Sequence, residues 1–214
     1  NAGTKGVSGV LSFSSGTASS GTSGAVVIGT GSASTGKGGD ISLSVGSGDL
    51  AAGGDITLSA GRSTSDTGGG IWVTGGYGTG TSSGAIAIRT SNAGTNGVSG
   101  VLSFSSGTAS SGTSGAVVIG TGSASNGKGG DISLSVGSGD LAAGGDITLT
   151  AGRSTTDTGG GIWVTGGHGT ATSSGAIAIR TSNAGTAGVS GVLSFSSGTT
   201  SEGTSGAVVV GTGS

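Results

Sequence analysis

Apolar residues recur along this chain in pairs two apart, and the pairs recur every fifteen residues. The leading member is Leu11, Val26, Ile41, Ile56, Ile71 and Ile86, and its partner is Phe13, Ile28, Leu43, Leu58, Val73 and Ile88. Polar or small residues mostly fill the position between them. Apolar residues at i and i+2 have the period of a strand with one covered face, because successive side chains of a strand point to opposite sides. The same spacing argues against a helix. So does the density of glycine, each interior copy of which costs about 1 kcal/mol relative to alanine.

Glycine punctuates these pairs in register. Gly9, Gly24, Gly39, Gly54, Gly69 and Gly84 each stand two residues before a leading aliphatic and are the expected turn glycines. A column held by glycine marks a backbone position that takes a positive φ or admits the close approach of another segment. A second column, Gly16, Gly31, Gly46, Gly61 and Gly76, lies five residues after the leading aliphatic, with Ser91 as its exception. Beyond it come the small residues Ala18, Ala33, Gly48, Ser63 and Gly78, expected to face inwards against the Ile-x-Leu strand. The flanking column holds residues as different as Arg62 and Tyr77, which are expected to point outwards.

A longer repeat encloses the short one. "NAGTKGVSGVLSFSSGTASS" at Asn1 returns, slightly altered, at Asn92 and Asn183, a period of 91 residues. The first two copies differ at Lys5/Asn96, Thr35/Asn126, Ser59/Thr150, Ser65/Thr156, Tyr77/His168 and Gly80/Ala171, and no large aliphatic residue changes. From Leu11 to Leu102 the leading aliphatics step by 15 five times and by 16 once. The extra residue falls within "RTSNAGTNGVSG" and reads as an insertion at one corner.

A fixed period decides architecture before any single motif does. The pattern predicts an all-β chain, a parallel β-solenoid of 15-residue coils in which an aliphatic side stacks over a thin side of Gly, Ala and Ser. Two units joined into a 30-residue coil are the alternative. At about 4.8 Å per coil, the leading aliphatics from Leu11 to Val208 would climb a rod about 65 Å long. The expected organisation is one continuous segment with long repeats 1–91, 92–182 and a partial 183–214, excised from a longer chain.

Composition narrows the class. With 31% hydrophobic and 3% aromatic residues and 55 glycines, a conventional globular core is excluded. Charged residues make up 7% and the formal net charge is -2, so little self-repulsion holds copies apart and association is favoured. The absence of cysteine removes disulfides, thiolate metal sites and thiol nucleophiles. No apolar run approaches the roughly 18 residues that span a bilayer, and no signal segment opens the chain.

Several motifs invite chemistry. "GSASTGK" (31–37), repeated as "GSASNGK" (122–128), fits the start of a phosphate-binding loop, but Gly38 or Gly129 follows where Ser or Thr should hold Mg²⁺, and a strand pattern follows where a helix is needed. "GTSSG" (80–84) fits a nucleophile elbow, yet the second copy reads "ATSSG" and the chain's one histidine is His168. Asp40, Asp55, Asp131 and Asp146 each follow a Gly-Gly pair, as in calcium-binding β-rolls, whose ligands require nonapeptides in tandem; a turn-capping role accounts for them here. The basic residues Lys5, Lys37, Arg62, Arg89, Lys128, Arg153 and Arg180 are scattered, without the patch or interleaved aromatics of a nucleic-acid surface. The reading is therefore of a chain that is not an enzyme, with no catalytic, cofactor or metal site, no nucleic-acid partner and no small-molecule substrate.

The residues between the aliphatics point away from the predicted core. Among them Val27, Trp72 and Ala87, with Val10, Ala25 and Ala85 one column earlier and the repeated Trp163, form a candidate lateral interface. The units "SGAVVIGTGSAS" and "GGDITLSAGRS" resemble, along the whole chain, the repeats of structural β-solenoids, silk-like fibre proteins and repetitive microbial or algal surface proteins. That resemblance implies fibres, sheaths or adhesive surfaces outside the cell. The expected function is a structural protein that forms or extends an extracellular filament or sheath by stacking and lateral self-association. An ice-binding solenoid and the stalk of a surface adhesin are the alternatives; the first would present a flat threonine array, where these outward columns mix Val, Asp, Trp, Ala, Arg and Tyr.

Overall fold

Residues 6–212 are described by a computed structural model. Lys5 and the opening residues of the first long repeat lie outside the described residues, as do the last two of the partial repeat. The chain divides into two units, Asn1–Ser105 and Ser106–Ser214. Within each, extended arms of about a dozen residues alternate with short bends. The bends of the first unit fall at 19–21, 34–36, 49–51, 64–66 and 79–81, and those of the second at 110–112, 125–127, 140–142, 155–157, 170–172 and 201–203. A tight turn at 95–96, and its copy at 186–187, completes the series.

Local chemistry explains where the arms break. Glycine, serine, threonine and aspartate collect at these points, supplying permissive backbone and short side chains that bond to it. Ser63 Oγ accepts hydrogen bonds from the amides of Asp66 (2.9 Å) and Ser65 (3.3 Å), and Asp66 Oδ1 accepts from Thr67 (2.7 Å). The same set recurs around Ser154 and Asp157. At the 19–21 bend Gly21 takes φ +91°, a conformation that only glycine adopts without strain.

Each of four bends in the first unit is closed by one backbone hydrogen bond between residues eight apart. The amides of Gly39, Gly54, Gly69 and Gly84 donate to the carbonyls of Gly31, Gly46, Gly61 and Gly76 at 3.4, 3.0, 2.8 and 2.8 Å. Gly145, Gly160 and Gly175 do the same in the second unit, at 3.2, 2.9 and 2.8 Å. Eight extended residues would reach about 27 Å, so each bond records a reversal of the chain. The 16-residue step has a different corner, in which Gly97 donates to Gly94 across the turn at 3.1 Å, and Gly188 to Gly185 at 3.2 Å.

This arrangement overturns the predicted fold class. Among the described residues there is no β-strand and no helix. A parallel solenoid, whether of 15- or 30-residue coils, hydrogen-bonds equivalent residues one full coil apart along continuous ladders. Here the bonds join glycine to glycine across a reversal at seven of the eleven bends, and the arms show no other backbone pairing among the described residues. The physical reason lies in the arms themselves. Each carries two or three apolar side chains among glycines, and interior glycine weakens a strand by adding conformational freedom without adding contact area.

The predicted core is corrected with it. None of Leu11, Val26, Ile41, Ile56, Ile71 and Ile86 is buried, nor is any of Phe13, Ile28, Leu43, Leu58, Val73 and Ile88. The chain exposes 20751 Å². A compact protein of 19.1 kDa exposes about 8400 Å² by size scaling, and a fully unfolded one about 28000 Å².

Candidate self-association surface

Cover is graded along the arms, and the grading follows the repeat. Thirteen of the fourteen leading aliphatics are 48–56% exposed, whereas Leu11 is 81% exposed. Leu102 and Leu193, which occupy the same place in later copies of the long repeat, stand at 48%. Leu102 has a preceding arm, 82–94, that runs beside it: a Cβ built on Gly100 would lie 3.4 Å from Thr90 Cγ2. That arm contributes to the cover of Leu102.

The glycine column two before each leading aliphatic, apart from Gly9 and Gly206, sits where those arms meet. A Cβ at Gly39 would come 3.0 Å from Thr30 Cβ, and one at Gly84 would come 3.1 Å from the Gly76 amide nitrogen. Neither glycine has a positive φ, so it is the close approach that makes a side chain tight there. The second column behaves differently: Gly16, Gly31, Gly46, Gly61 and Gly76 have open space where a Cβ would stand. They serve as acceptors of the closing hydrogen bonds, except Gly16, for which none forms.

The small column is corrected in place. Gly48, Ser63 and Gly78 do not face an aliphatic strand; they stand at the mouths of the bends. A Cβ on Gly48 would meet the Ala51 carbonyl oxygen at 2.5 Å, and one on Gly78 would meet that of Ser82 at 2.5 Å. Ser63 caps its bend through Oγ. Ser63 and Gly78, with Gly75, are the least exposed of the described residues of the first unit.

The other side of each arm is open. Along Ile71–Val73 the exposures are 56, 91 and 70%, and along Val26–Ile28 they are 55, 87 and 74%. Trp72 and Val27 thus stand on the more open side, as do Val10 and Trp163, and Ala25, Ala85 and Ala87 are likewise exposed. The Trp72 indole folds back over its own arm: a Cβ on Gly70 would lie 3.1 Å from Nε1, and Gly161 and Trp163 repeat the contact. Sequence reasoning missed Gly70, although "GGGIW" is the one unit type with a third glycine. It also missed Leu50 and its copy Leu141, apolar residues at bend apices that are wholly exposed.

Polar chemistry on this surface is sparse and exposed. In the "GSASTGK" segment Lys37 Nζ donates to Asp40 Oδ2 at 2.7 Å, and Lys128 pairs with Asp131 at the same distance, with all four side chains largely in solvent. Thr30 Oγ1 donates to the Gly39 carbonyl at 2.9 Å, tying the two arms of that bend together. "GTSSG" spans a bend and ends on Gly84, whose amide closes it. Among the described residues no three of His, Asp or Glu come together, and no helix is long and apolar enough to cross a membrane. A concavity of about 360 Å³ beside Arg89, Thr90, Ser91 and Asn92 adjoins the corner that carries the extra residue. No family model, curated protein or solved structure matches this chain.

Proposed function

We propose that this chain is a structural, non-enzymatic protein whose copies associate through their open apolar sides into an extracellular filament, fibre or surface sheath. The observation that carries the reading is that every large apolar side chain among the described residues remains about half exposed or more. Exposed apolar surface on this scale marks an association surface, since isolated soluble chains seldom present contiguous patches beyond a few hundred Å². A second copy is the natural cover. It offers the same periodic apolar sides, and with a net charge of -2 over 214 residues little repulsion opposes its approach. The arms also leave backbone donors and acceptors free for intermolecular pairing, the hazard that folded sheets suppress at their edges.

The test is sedimentation velocity and negative-stain microscopy of the full chain across a range of concentrations, beside the Trp72→Ser, Trp163→Ser variant. The wild type should assemble into elongated bodies as concentration rises, and the variant should need a higher concentration to do so. A chain that stays monomeric throughout, or a variant that assembles identically, would remove the proposal.

A further inference from the structure

Two Asn-Gly pairs occur in the chain, Asn96–Gly97 and Asn126–Gly127, and both belong to the second copy of the long repeat. The matching asparagine positions hold Lys5 and Thr35 in the first copy, and Ala187 stands opposite Asn96 in the third. Both asparagines are exposed, and each sits in a reversal of the chain, Asn96 in the tight turn and Asn126 in the 125–127 bend. Their following glycines differ. The Gly97 amide is engaged, donating to the Gly94 carbonyl at 3.1 Å, and a Cβ there would meet Ala93 Cβ at 3.4 Å. The Gly127 amide donates to no acceptor among the described residues, and nothing lies within 4 Å of where its Cβ would be.

We propose that Asn126 is a site of self-catalysed deamidation, and that Asn96 is protected by its turn. The Gly127 backbone nitrogen attacks the Asn126 side-chain carbonyl carbon, forming a new N–C bond. The bond from that carbon to Nδ2 breaks, and Nδ2 leaves as ammonia, the proton from the Gly127 amide passing to solvent and one from solvent to the leaving nitrogen. Water then opens the five-membered imide at either carbonyl, giving aspartate or isoaspartate, so water is the only co-reactant. At Asn96 the attacking nitrogen must first give up its hydrogen bond to Gly94. A backbone hydrogen bond of ordinary net strength makes that step about two- to tenfold slower. Conversion at Asn126 changes the net charge of the chain from -2 to -3 and places a carboxylate two residues from Lys128, the partner of Asp131.

Trypsin should release Thr90–Lys128, a single peptide that carries both pairs, so the comparison is internal. The full chain is aged at neutral pH in dilute buffer and, in parallel, in urea, and both asparagines are followed by fragmentation mass spectrometry and by isoaspartyl-methyltransferase labelling. The expected result is about two- to tenfold faster conversion at Asn126 than at Asn96 in buffer, with the ratio falling in urea, and loss of the faster signal in Asn126→Thr. Equal or faster conversion at Asn96 in buffer, a ratio that urea leaves unchanged, or no conversion at Asn126 would overturn the proposal.

Discussion

Replacing Gly84 and Gly76 separately with alanine distinguishes the geometry of the bends from the general effect of removing a glycine. Either substitution restricts the disordered chain and by itself favours the ordered one by about 0.4–1 kcal/mol. At Gly76 the new methyl enters open space, so that gain should survive. At Gly84 it would stand 3.1 Å from the Gly76 amide nitrogen, and no side-chain rotation relieves contact with backbone. The two segments must give by a few tenths of an ångström, which stretches the 2.8 Å bond from the Gly84 amide to the Gly76 carbonyl. That bond contributes about 0.5–1.5 kcal/mol net, so exchange of the Gly84 amide in the native chain should be slowed about two- to tenfold relative to a free amide. Amide hydrogen exchange followed by NMR, at a concentration where the chain is monodisperse, reads this directly. Gly84→Ala should reduce the slowing at residue 84, and Gly76→Ala should keep or increase it. The reasoning fails if the Gly84 amide of the native chain exchanges as fast as that of Gly80. It fails equally if the two variants behave alike, or if Ser42, Leu43 and their equivalents are the slow amides, as a strand ladder would require.

Two further substitutions probe the polar contacts. Asp40→Ala removes the ion pair with Lys37, whose side chains are mostly in solvent; exchange at the Gly39 amide should move by no more than the few tenths of a kcal/mol typical of exposed pairs. Ser63→Ala removes the acceptor for the Asp66 and Ser65 amides, and exchange at Asp66 should rise by the factor matching about 0.5–1.5 kcal/mol. Unchanged exchange at Asp66 would show that the serine does not hold the bend.

The repeat was legible in the sequence, and the pairing was not. The fifteen-residue step and the special corner in "RTSNAGTNGVSG" have counterparts in the structure, whereas the bends, as at 19–21, 34–36 and 49–51, fall between the two glycine columns and not at the expected turn glycines. Which residues then bond to one another is a longer-range matter. The aliphatic pairs Ile41/Leu43 and Ile56/Leu58 have the alternation of strands in either a parallel stack or a series of reversals, and alternation alone does not distinguish them. Gly39 and Gly54 sit at the same column in both arrangements. The arrangement is told apart only by the partner of their amides, which lies eight residues back. Small residues misled for a related reason. Gly48 and Gly78 are small because the carbonyls of their own bends fold over them, a constraint that produces the same letters as a thin packed side.

The pattern of cover also shows how a chain with so little core can hold any order and why it leaves an appetite for more. Leading aliphatics such as Leu102 and Leu193 are half covered, whereas Leu11 is 81% exposed. Going from 81% to the 48% of Leu102 covers about a third of a leucine, worth about 0.5–1 kcal/mol from the transfer energy of a whole side chain. Order is thus passed from each arm to the next in small increments, as in other repetitive chains whose stability is a sum of neighbour terms. The increment stops at half cover because an arm has two sides and its neighbours in the chain leave one of them open. Residues such as Val27 and Trp72 on that open side gain nothing comparable from further repeats of the same chain. Any cover for them would come from outside it, so lengthening the chain enlarges the open apolar surface in proportion and does not extinguish it.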